Sequence, residues 1–66
     1  MKVRFLGTTS KDGASPTLFE TDRETLLVQG WRVTDPEALA AMDIPEHETL
    51  VEIPRELLRF TPPESA

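Results

Sequence analysis

Between Thr25 and Val33 the chain reads TLLVQGWRV, an apolar run rich in strand formers and interrupted once, at the Gln29-Gly30 step. Strand alternation puts Leu27, Gln29, Trp31 and Val33 on one face and Leu26, Val28, Gly30 and Arg32 on the other. Both faces begin apolar, which is the pattern of a strand covered on both sides, so the run predicts a central strand and not an edge. Gly30 within it marks a bulge or a close approach, by another backbone or by a bulky ring such as that of Trp31. Two overlapping helix starts follow: Thr34 and Glu37 as a capping box, or Asp35 as N-cap with Pro36 at the first helical position. Ala38 to Met42 then reads as about two turns of helix with Leu39 and Met42 on one stripe, stopped by Asp43-Ile44-Pro45. So short a helix does not stand alone, and packing on the sheet is expected to hold it.

The flanking segments complete the pattern. Lys2 to Leu6 alternates as a half-buried strand with Val3 and Phe5 inward. Gly7 to Pro16 is a loop of small, polar and turn-forming residues. Thr17 to Glu20 is a short strand, and Thr21 to Glu24 a turn whose lack of glycine favours a type I based turn over a tight two-residue one. Glu46 to Ile53 reads as a half-exposed, edge-like strand in which Leu50 sits oddly among the glutamates Glu48 and Glu52. Pro54 to Phe60 predicts one or two helical turns dropping Leu57, Leu58 and Phe60 onto the sheet, and residues 61–66 a disordered tail. The expectation is an α+β fold over residues 1–60: a small antiparallel four-stranded sheet in β-β-β-α-β-α order, one face covered by the helix and the C-terminal turn. The alternative is an SH3-like curled barrel.

Length and charge narrow the function. A chain of 66 residues buries about 60% of its unfolded surface, so burial against a partner is expected. With no cysteine, neither disulfides nor thiolate zinc can staple it. No signal-peptide core and no apolar run near the ~20 residues of a membrane span is present, which points to a soluble, cytoplasmic protein with no membrane contact. Residues 1–33 carry a net charge of +1 and residues 34–66 a net charge of −6. Direct nucleic-acid binding lacks a basic footprint, whereas the acidic half either faces a basic partner protein or is a solvated surface.

Candidate chemistry is sparse. The Gly7 to Pro16 loop holds glycines, hydroxyls and Lys11, but Lys11 precedes Gly13, the reverse of the phosphate-loop order. Glu46-His47-Glu48 is the densest ligand cluster, yet in a strand His47 points away from its neighbours, and no metal or cofactor is expected. One histidine without cysteine or tyrosine leaves most nucleophile–base pairs unbuildable, and no carboxylate pair sits in a recognisable pocket. Trp31 is either a core ring or an exposed anchor for a partner. The reading is a non-enzymatic protein-interaction or regulatory accessory module acting through self-association, as a dimer, or on a larger partner. Its contact residues are Trp31, Leu50, Glu48, Glu52 and Lys11. The alternative is a small-molecule or anion-binding protein using the Gly7–Pro16 loop.

The segments from Lys2 to Gly7, SPTLF, TDRET, QGWRVTDPEALA and IPEHETLVEIPRELL resemble a family of small actinobacterial proteins without an assigned activity. The resemblance spans nearly the whole chain and implies no cofactor or catalytic residue. It does imply that glycine is usual where this chain has Glu24.

Overall fold

The computed structural model describes residues 1–11 and 15–63. In it the strands β1 (Val3–Thr8), β2 (Thr17–Thr21) and β3 (Leu26–Gln29) form an antiparallel sheet in sequence order. A separate antiparallel ribbon consists of β4 (Trp31–Arg32) and β5 (Val51–Glu52), with the short helix α1 (Pro36–Ala40) between them in sequence. A 3-10 helix, Arg55–Phe60, follows. The fold is small α+β with antiparallel sheets and short helices, and the described strands do not close into a barrel.

The apolar run is therefore divided. Its first half is β3, an edge strand, and its second half is β4, in the other sheet; β2 takes the central place. The expected single four-stranded sheet is replaced by sheets of three and two strands. Gly30 is where the chain leaves one sheet for the other, because the β5 backbone crosses it. A Cβ at Gly30 would lie 2.7 Å from the Glu52 carbonyl oxygen and 2.7 Å from Ile53 Cγ2, so the close approach is to backbone and Ile53 rather than to the Trp31 ring. The expected strand over Glu46 to Ile53 shortens to Val51–Glu52, since Glu48 N–H donates to Pro45 C=O at 3.0 Å and turns the chain.

The core lies between the three-stranded sheet and the 3-10 helix. Leu18 and Leu57 are completely buried and Thr17 nearly so. The β1–β2 register slips between Phe5 and Gly7, a bulge at Leu6 that leaves Gly7 opposite Leu18. That slip corrects the expected inward face of β1: Val3 and Phe5 are 50% and 56% exposed, and the inward position goes to Gly7. The Phe60 ring fills the space where a Gly7 side chain would stand. Arg59 lies over the same ring, its guanidinium carbon 5.0 Å from the centroid. Phe5 instead meets Phe19 edge to face, centroids 6.2 Å apart, on the opposite side of the sheet.

α1 does not cover the sheet, contrary to the expectation. It contains no buried residue, and Leu39 and Met42 stay exposed. Its stability is local. Of the two possible caps Asp35 is used, its Oδ2 accepting from Ala38 N–H at 2.9 Å with Pro36 in the first turn. Thr61 closes the 3-10 helix, donating from its N–H (3.1 Å) and its hydroxyl (2.7 Å) to Leu58 C=O. Of the tail expected over residues 61–66, Glu64 to Ala66 lie outside the described residues.

The β2–β3 connection is a three-residue loop, Asp22-Arg23-Glu24, with Glu24 at φ 61°, the left-handed conformation such loops place before the returning strand. Thr21 braces it. Its backbone N–H donates to Thr25 C=O at 3.0 Å, and its hydroxyl accepts from Arg23 N–H at 3.0 Å. Non-glycine residues in this conformation are strained by about 1 kcal/mol, so Glu24→Gly is expected to stabilise the protein by roughly 0.5–1 kcal/mol in urea titration. Leu57→Ala removes half of the fully buried apolar core and is expected to cost about 2–5 kcal/mol. In a domain this small that is enough to abolish the cooperative thermal transition.

Candidate interaction surface

The ribbon and α1 together form a groove. β4 and β5 pair Trp31 with Glu52 and Arg32 with Val51, and Val33 N–H extends the ladder to Leu50 C=O at 3.4 Å. Alternation along both strands sets Trp31, Val33, Leu50 and Glu52 on one face. The Asp35 cap starts α1 directly after β4, which places Ala38 and Met42 beside that face. The resulting open groove has a volume of about 510 Å³ and an apolar lining of Val33, Ala38, Met42, Leu50 and Val51. The carboxylates of Asp35 and Glu52 border it. Glu52 has no cationic partner among the described residues, and the Asp35 carboxylate accepts from Ala38 N–H at the helix N-terminus.

The sequence-predicted contact residues divide between this site and elsewhere. Leu50 and Glu52 line the groove, and Trp31 stands across the ladder from Glu52 with half of its surface exposed, so the ring is not core. Glu48 is exposed just after the Pro45–Glu48 turn, its carboxylate 3.9 Å from His47 Nε2. Lys11 is exposed in the β1–β2 connection and contributes nothing to the groove; the neighbouring Asp12, Gly13 and Ala14 lie outside the described residues. Sequence reasoning passed over Val33, Ala38 and Met42. The Leu39–Met42 stripe is the available signal, and in the sequence it reads as packing on the sheet.

The loop offered as a ligand site is otherwise committed at its neck. Gly7 is covered by Phe60, and the Thr8 hydroxyl donates to Pro16 C=O at 2.6 Å while accepting from Ser10 N–H at 3.0 Å. Among the described residues no three His, Asp or Glu side chains are grouped to hold a metal ion, and no helix is long and apolar enough to cross a membrane.

Much apolar surface stays open. Val3, Phe5, Leu26, Leu27, Val28, Trp31, Met42, Val51 and Leu58 are all exposed. The accessible surface is 5662 Å², against about 4,200 Å² for an average monomer of 7.4 kDa. The radius of gyration is 13.5 Å, against about 11 Å for a compact chain of this length. Fold and groove together define a small α+β domain with an uncovered apolar surface. No protein-family model, curated protein or solved structure matches the chain, so the class rests on these features.

Because its ring is half exposed, Trp31→Ala is expected to cost no more than about 1.5 kcal/mol, well under the roughly 3–5 kcal/mol of a core tryptophan. Denaturant unfolding followed by far-UV circular dichroism checks this.

Proposed function

We propose that the protein is a non-enzymatic interaction module, a regulatory accessory that works in the cytoplasm through self-association or by docking on a larger partner protein. The observation that carries this reading is the set of exposed apolar side chains, Phe5, Leu26, Leu27, Val28, Trp31 and Leu58 among them, in a chain whose total accessible surface is about 1,500 Å² above that of a typical monomer of this mass. A stable interface removes about 800 Å² from each partner, so one such interface would cover about half of that excess. Half-exposed Trp31 beside an apolar groove is the residue type and setting of a binding hot spot. The net charge of −6 over residues 34–66, with Asp35 and Glu52 at the groove, favours a basic partner protein over nucleic acid.

The reading is tested by sedimentation of the purified chain across the micromolar range together with affinity capture from lysate, each repeated with Leu50→Glu. A dimer, or a captured protein whose retention falls at least about tenfold with Leu50→Glu, is expected. A persistent monomer that captures nothing dependent on the groove overturns it.

A further inference from the structure

We propose that β3 is the interface of a homodimer, its outer edge pairing antiparallel with the same edge of a second copy about a two-fold axis at Leu27. The proposal rests on the self-association arm of the function proposed above.

The first ground is a conflict between pattern and position. Leu26, Leu27 and Val28 make both faces of β3 apolar, the pattern of an interior strand, yet β3 is an edge strand with all four residues exposed. A further strand alongside makes β3 interior and sets Leu26, Leu27 and Val28 against apolar cross-strand neighbours. The second ground is the contrast with the other edges. β1 is protected by Lys2 and Arg4, by the bulge at Leu6 and by the 3-10 helix packed against it, while β4 and β5 are two residues long. β3 carries no charge, no proline and no bulge, so it has none of the devices by which edges avoid pairing.

Backbone direction fixes how a second copy would fit. Thr21 and Thr25 form the hydrogen-bonded pair next to the loop, so the antiparallel alternation makes Phe19–Leu27 hydrogen-bonded and Glu20–Leu26 and Leu18–Val28 not. The N–H and C=O groups of Leu26 and Val28 therefore point outward. A two-fold axis at Leu27 sets Leu26 of one copy opposite Val28 of the other, twice, and each pair exchanges two backbone hydrogen bonds. The two Leu27 side chains then meet as a close, non-hydrogen-bonded pair. They join the Phe5–Phe19–Leu27 row of one copy to that of the other in one apolar stripe across six strands.

Charge favours a second copy at this edge and not at the groove. Thr25 to Trp31 holds no charged residue and lies in the half of net charge +1, so two copies meet here without like-charge repulsion. Self-association through the groove would oppose Asp35 and Glu52 with their own counterparts.

The chain has no cysteine, so Leu27→Cys introduces a single thiol. Non-hydrogen-bonded antiparallel partners have Cα atoms about 4.5 Å apart, within disulfide reach. Three measurements test the proposal: sedimentation of the wild type, mild oxidation of Leu27→Cys beside a Glu37→Cys control on α1, and the dimer dissociation constant of Leu27→Lys. Expected are a wild-type dimer, a covalent dimer from Leu27→Cys but not from Glu37→Cys, and at least about tenfold weaker association for Leu27→Lys with an unchanged circular dichroism spectrum. Should Leu27→Lys unfold, the cross-linking pattern decides. A dimer that survives Leu27→Lys and leaves Leu27→Cys uncoupled overturns the β3 interface while self-association stands. A monomeric wild type overturns the interface as well, and a groove-dependent partner would then still support the proposed function.

Discussion

The seating of the Phe60 ring on Gly7 is the contact on which the rest of this structure depends. With Leu18 and Leu57 as the fully buried apolar side chains among the described residues, the sheet and the 3-10 helix hold each other through a very small core. The bulge at Leu6 makes that contact available by rotating Gly7 to the side of Leu18, and only a residue without a side chain leaves room for the ring. The same rotation leaves Phe5 on the far side with Phe19 and Leu27, where Phe5 and Leu27 stay exposed.

A core this small has consequences for function. The 3-10 helix occupies one end of one sheet face, α1 buries nothing, and the ribbon of β4 and β5 stands beside its own groove. The chain thus presents two apolar surfaces of different electrostatic character. In the function proposed above the groove, bordered by carboxylates, takes the basic partner, and the neutral β3 edge takes the second copy. One domain with both would be able to dimerise and dock at once, which is how a module of this size gains avidity without a larger surface.

Much of the local structure was legible in the sequence because it depends on near neighbours. Asp35 and Pro36 specify the start of α1, Gly30 marks a close backbone approach, and Leu57 and Phe60 come down on the sheet as expected, whereas Leu58, expected with them, turns outward and is 56% exposed. At Glu24 the loop needs a left-handed residue, and the glycine implied there by the resemblance fits that need. The candidate surface was partly legible: Trp31, Leu50 and Glu52 were singled out as an aromatic or apolar residue out of place and a glutamate beside it. Met42 and Ala38 were not, because an apolar stripe on a helix reads the same whether it packs on a sheet or lines an open groove.

What the sequence by itself determined is the coarse class, a small α+β chain of antiparallel strands with one short helix started at Asp35 and a helical turn after Pro54. What only the tertiary structure decided is which strand is central, which face of β1 turns inward and what α1 covers. Those outcomes follow from one added residue at Leu6 and one missing side chain at Gly30. A bulge reverses the faces beyond it, and a glycine lets a second backbone pass where a continuous strand would otherwise run. The bulge leaves the local pattern of apolar and polar residues unchanged and so cannot be read from it, and Gly30 signals a close approach without saying which backbone makes it.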